Sequence, residues 1–184
     1  MRAVVLLFSC VLSLCGPGAA QMVKRPISVY PVDSPLAKTS LPPKCAGNSL
    51  SQTEAAQILA AQNKARTAVG IKPMVWDCTL AKTAQEWASG GVAGHSDTMY
   101  GENIFVAMDT AAAVDGATEH WLAESANWKN DGHCTPGKTC THYTQIVWRA
   151  TTRVGCGINR AATGKWPLIL VCNYDPASGT GPAY

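Results

Sequence analysis

The sequence carries little charge and almost no bias of sign. Charged residues make up 15% of the 184, with 15 Lys and Arg against 12 Asp and Glu, and the basic ones are scattered rather than striped. A nucleic-acid partner, which asks for a concentrated basic face, is therefore not expected. Cys-x-x-Cys knuckles are missing, which argues against a zinc site built from four thiolates. Neither a Gly-x-Ser-x-Gly elbow nor a His-Glu-x-x-His helix is present, so two common hydrolase machineries drop out. Internal repeats are absent, and no apolar run is long enough to span ~30 Å of hydrocarbon, so the chain is not expected to cross a membrane. Histidine occurs four times, as His95, His120, His133 and His142, so acid–base or metal chemistry must draw on a short supply.

The first twenty residues have a different character. Arg2 precedes the apolar run Val4-Val5-Leu6-Leu7-Phe8, continued by Val11-Leu12-Ser13-Leu14, and Gly16-Pro17 breaks it. Gly18-Ala19-Ala20 then places small residues at −3 and −1, so residues 1–20 read as a secretory signal peptide cleaved before Gln21. A lipoprotein reading through Cys15 fails because Leu14 stands where a small residue is wanted. An extracellular location is expected, or the periplasm or cell wall of a bacterium. Without the leader, 14 basic and 12 acidic residues remain, together with six cysteines: Cys45, Cys78, Cys134, Cys140, Cys156 and Cys172. An even number in an exported chain predicts three disulfides, and spacing alone leaves their connectivity open.

Residues 21–50 hold Pro26, Pro31, Pro35, Pro42 and Pro43 with no apolar periodicity, and read as an extended segment. Residues 51–184 read as one domain. Ser51 and Glu54 have capping-box spacing, and Ala55, Ile58, Leu59, Gln62, Ala65 and Arg66 continue at helical spacing to a stop at Gly70. Leu80, Ala81, Ala84, Trp87 and Ala88 predict a second helix closed by Gly90-Gly91, and a third is expected between Thr110 and Trp128 with Trp121 buried. Most of the six tryptophans are expected in the core. The runs Tyr143–Trp148, Val154–Ile158 and Leu168–Cys172 read as short strands. Helices first and strands later predict an α+β fold rather than alternating βαβ units.

His142 is expected at the start of a strand, sharing a face with Thr144, Ile146 and Trp148. Glu124 follows Trp121 by one helical turn, on nearly the face of a buried indole, where a carboxylate needs a partner. An imidazole is its natural one, although His120, four residues earlier, competes as an ordinary surface pair. His133, between Gly132 and Cys134, reads as a loop residue without a role. Ser96, beside His95, is the one hydroxyl to watch as a nucleophile.

Three segments carry a family resemblance. His142-Tyr143-Thr144-Gln145-Ile146-Val147-Trp148 resembles the HYTQxVW motif, Tyr100-Gly101-Glu102-Asn103-Ile104 the YGENI/L segment, and Cys172-Asn173-Tyr174-Asp175-Pro176 the CNYxP motif of the CAP superfamily (cysteine-rich secretory, antigen 5 and pathogenesis-related 1 proteins). Gly155-Cys156-Gly157 is similar to its small-residue and cysteine step, and the likeness runs from about Ala55 to Tyr174. It implies a three-layer αβα sandwich with a cleft lined by His95, Glu102, Glu124 and His142. It also implies the pairs Cys134–Cys140 and Cys156–Cys172, with Cys45 and Cys78 joined as the remaining two. The sequence departs from the family at Gln62-Asn63, where a His-Asn pair is usual, while Asn63 and Arg66 are kept.

The resemblance further implies a divalent cation such as zinc at His95 and His142, and a sterol or fatty acid as ligand. With no free thiol expected, these point to a secreted, monomeric, non-enzymatic binding module in defence, virulence or host interaction, meeting a protein partner. The alternative is a hydrolase, metal-assisted or using the His/Glu pairs as acid and base.

Overall fold

The computed structural model describes residues 41–111 and 114–184. The signal-peptide assignment, and most of the Pro-rich segment, lie outside the described residues.

Helix α1 (Gln52–Ala68) starts as its sequence dictates. The Ser51 hydroxyl accepts from the Glu54 N–H, and the Glu54 carboxylate accepts from the Ser51 N–H, so each satisfies an end group the helix cannot. Ala55, Ile58, Gln62 and Arg66 are its buried stripe, and Gly70, at φ +74°, follows its end. After the two-residue strand β1 (Val75–Trp76), Asp77 caps α2 (Cys78–Ser89) by accepting from the N–H groups of Thr79 and Leu80. Strand β2 (Gly101–Ala107) leads to α3 (Val114–Ala123), which tightens into a 3₁₀ turn over Glu124–Asn127. Helix α4 (Thr141–Ile146) precedes strands β3 (Arg153–Asn159) and β4 (Leu168–Asp175).

The four strands are ordered β1-β3-β4-β2, parallel only between β1 and β3. Strand β4 is central, and its alternate residues supply two cores. Leu168, Leu170, Cys172 and Tyr174 pack with Ile58, Trp121, Tyr143 and Ile146 on the side of α1, α3 and α4. Ile169 and Val171 meet Ala84 and Ala88 of α2 on the other. That two-sided burial explains why the strand reads as a continuous apolar run, and it gives the three-layer αβα sandwich. Helix α2 lies so close to β3 that side chains are excluded beneath it. A Cβ on Gly155 would sit 2.2 Å from the Ala81 nitrogen, and one on Gly157 2.3 Å from the Gln85 Cα.

Three disulfides join Cys45–Cys78, Cys134–Cys140 and Cys156–Cys172. The last links residues directly opposite in β3 and β4 and so fixes their register. The first ties the end of the Pro-rich segment to the start of α2.

One expectation needs correction. Residues 143–148 do not form a strand, because 141–146 is helix α4. Tyr143, Ile146 and Val147 are buried at helical i, i+3, i+4 spacing, a pattern that a six-residue apolar run shares with a strand. In its place β2 completes the sheet. Its polar opening, Gly101-Glu102-Asn103, hides an alternation in which Ile104 and Val106 face α2 while Phe105 and Ala107 pack into the larger core. Among the tryptophans, Trp121 and Trp76 are buried, and Trp87, Trp128, Trp148 and Trp166 are half-buried.

Candidate functional site

The four residues singled out in sequence come together as two histidine–glutamate pairs. Glu124 opens the 3₁₀ turn after α3, and His142 is the second residue of α4. Glu124 Oε1 lies 2.6 Å from His142 Nδ1, while Oε2 accepts from the backbone N–H groups of His142 (3.0 Å) and Tyr143 (3.3 Å). Cys140 stands at the cap position of α4 with no side-chain hydrogen bond to offer. The carboxylate of Glu124 therefore does the work of a cap from eighteen residues away, besides holding the imidazole. Burial pushes the Glu124 pKa up. The His142 hydrogen bond, the charge of that ring and the two N–H groups outweigh it and leave the pKa below the usual 4.5. Trp121 stacks on the His142 ring, centroids 6.1 Å apart, so the imidazole is held from two sides.

The second pair is built on the edge strand β2. Glu102 Oε1 lies 2.9 Å from His95 Nδ1 and accepts from the Ser96 N–H at 2.9 Å, and Oε2 accepts from the Ser96 hydroxyl at 2.7 Å. The Glu102 side chain is 5% exposed and that of His95 70%, so a buried carboxylate presents an imidazole to solvent. Ser96 thus serves Glu102; its hydroxyl is not bonded to an imidazole.

Asn103, which the Tyr100–Ile104 segment contains without marking it as a site residue, connects the two pairs. Neighbouring strand residues turn to opposite faces, so while Glu102 meets His95 and Ser96, the buried Asn103 donates to the His142 carbonyl (3.1 Å) and the Tyr174 hydroxyl (3.2 Å). Its sequence signal was its place after Glu102 in a strand too polar to be read as one.

His120 does not take Glu124; its ring lies 6.1 Å from that of Phe105. His133 is an exposed loop residue with Nδ1 3.7 Å from Asp131.

In both pairs Nδ1 faces the glutamate, so Nε2 is the atom left for a ligand. A carboxylate behind an imidazole is the arrangement that fixes ring orientation at histidine metal sites. By residue type, imidazole nitrogens backed by carboxylates suit a borderline divalent cation such as zinc. Among the described residues no group of three or more His, Cys, Asp or Glu side chains is placed to hold an ion unaided.

The comparisons with known proteins agree with this architecture. The family model for the cysteine-rich secretory protein family, CAP, matches residues 59–174. Pathogenesis-related protein 1A1 of Solanum lycopersicum is 42% identical over 134 residues, 70% of this chain and 75% of that protein. Pathogenesis-related protein 1A of Nicotiana tabacum is 38% identical over 123 residues, 64% of this chain and 72% of that one. Among solved structures, that of NaASP2 with Zn2+ superimposes with a TM-score of 0.64 at 28% identity, covering 76% of this chain and 88% of that one. Venom allergen-like protein 4 of Schistosoma mansoni gives 0.58 at 27% identity, covering 73% and 95%. The chain belongs to the CAP family. Among the described residues no helix is long and apolar enough to cross a membrane.

Proposed function

We propose that this protein is a secreted, defence-related binding module whose two histidines hold one divalent cation, with zinc the natural probe. The observation that carries the reading is the matched construction of the pairs. In each, a largely buried glutamate engages Nδ1 of a more exposed histidine and leaves Nε2 for a ligand. The cation would supply Lewis acidity and a fixed positive charge at the site. The glutamates would orient the rings and offset that charge, and Asn103 would hold the His142 backbone beside β2. The pathogenesis-related names of the plant relatives and the Zn2+ in the NaASP2 structure support the choice of class and of probe.

Binding is favoured over hydrolysis by a side-chain nucleophile, because the candidate nucleophiles are engaged elsewhere. The six cysteines of the described residues are paired, and the Ser96 hydroxyl is turned to Glu102. An equilibrium zinc titration checks the proposal. Saturable binding of one ion is expected in the native protein, with at least a tenfold loss of affinity in His95→Ala/His142→Ala, and equal affinity in the two would remove the cation from the account.

A further inference from the structure

Residues 177–184 contain no helix or strand, yet they are fastened to the domain along their length. The Ser178 N–H donates to Gln145 Oε1 at 2.8 Å. The Arg149 N–H donates to the Ala183 carbonyl, also at 2.8 Å. Asn130 then grips the last two residues. Its Oδ1 accepts from the N–H groups of Ala183 (3.0 Å) and Tyr184 (3.3 Å), and its Nδ2 donates to the Tyr184 carbonyl at 2.8 Å. Asn130 does this from the left-handed region, φ 53°, which asparagine adopts more readily than most residues.

The channel also selects by shape. Ala183 is 1% exposed, so its methyl group fills a closed space. A Cβ on Gly179 would lie 3.1 Å from the Trp148 ring, and Gly181 has φ +99°, both of which favour glycine. From the other wall, a Cβ on Gly132 would meet the Gly181 Cα at 3.1 Å. Side-chain and backbone groups of the domain thus read an extended peptide through its main chain, close packing restricts positions 179 and 183 to small residues, and the backbone conformation favours glycine at 181. These are the two elements of peptide recognition: main-chain hydrogen bonds for affinity and fitted pockets for specificity.

We propose that the channel between the Asn130–Gly132 turn and the end of α4 is a peptide-binding site, filled here by residues 177–184 and able to take the same segment from a second copy of the chain. The partner is defined by what the channel accepts: Gly at 179 and 181, Ala at 183 and an aromatic residue after it.

The test uses a protein ending at Pro176 and a synthetic Ala177–Tyr184 peptide, with binding followed by calorimetry. Saturable binding to the shortened protein is expected, and at least tenfold weaker binding to the full chain, where the peptide must displace the resident segment. Asn130→Ala in the shortened protein loses three hydrogen bonds and should weaken binding by about tenfold or more. A peptide carrying Ala183→Leu should not bind. Failure of the native peptide to bind a shortened protein that keeps its native circular dichroism, or equal binding of the Leu peptide, overturns the proposal. If the shortened protein does not fold, hydrogen exchange on the full chain decides instead. The Ala183 and Tyr184 amides should be protected in the native chain and exposed in Asn130→Ala, and unprotected amides in the native chain refute the site.

Discussion

Replacing Arg66 with methionine is expected to cost roughly 3–5 kcal/mol of stability, a large share of the ~5–15 kcal/mol typical of a whole domain. The side chain is 1% exposed, and the hydrogen-bond partners of its guanidinium are all backbone carbonyls. Nε donates to Lys72 (2.8 Å), Nη1 to Ile146 (2.7 Å) and Trp148 (2.9 Å), and Nη2 to Thr151 (2.7 Å). Burial pulls its pKa down to about 10, with the nearby Tyr174 acting the other way, so the group remains a cation at neutral pH. Two of its acceptors lie at and just beyond the end of α4, where a positive charge also complements the helix dipole. Methionine would relieve the desolvation of a cation but leave several buried carbonyls without a donor, each worth about 1–3 kcal/mol. Arg66→Lys separates the two contributions. A point charge cannot reach four acceptors as the planar fork does, so most of the loss should persist. Urea unfolding at neutral pH measures both variants, and a loss under about 1 kcal/mol for methionine would show that the carbonyls find other donors.

Glu124→Ala attacks the other end of the same helix. It removes the acceptor of two N–H groups that no cap residue can replace, and it frees the His142 ring. A loss of about 2–4 kcal/mol is expected, combining a lost cap with a broken charge-assisted bond. Glu124→Gln keeps an acceptor oxygen and should recover part of it. The charge itself shows in the pH dependence. Because the folded state holds the Glu124 pKa below the ordinary 4.5, the unfolded chain binds more protons in that range. The contribution is therefore complete above the unfolded value and disappears as pH falls through the folded one. Denaturant midpoints measured downward from pH 7 should fall less steeply for Glu124→Gln than for the native protein. Parallel curves would show that the carboxylate gains nothing from ionisation.

These two residues also explain which parts of the molecule could be read in advance. Helix α1 was legible because its start signal, Ser51 with Glu54, is local. Helix α2 was legible through its apolar spacing and its Gly90-Gly91 stop. Helix α4 was not, since both its anchors are distant: Glu124 lies eighteen residues before His142, and Arg66 eighty before Ile146. Read alone, the six residues Thr141–Ile146 suit a strand as well as a helix, and only those contacts choose between them. Strand β2 was hidden for a related reason. Its first residues are polar because they belong to the site, so the demands of Glu102 and Asn103 override the apolar alternation that marks a strand. Of the site, the residue types and their order were plain from the motifs. The division of labour was not: Ser96 clamping Glu102, Asn103 bridging to His142, and Glu124 capping α4 all depend on contacts between separate elements.

The structure of the pairs makes the cation proposal specific enough for one spectroscopic measurement. X-ray absorption at the zinc edge, on protein loaded with a single equivalent, counts the imidazole nitrogens bound to the metal. Two are expected in the native protein and one in either His95→Ala or His142→Ala. A zinc shell without imidazole, or one that neither substitution changes, would contradict the reading that the two histidine–glutamate pairs form a single cation site.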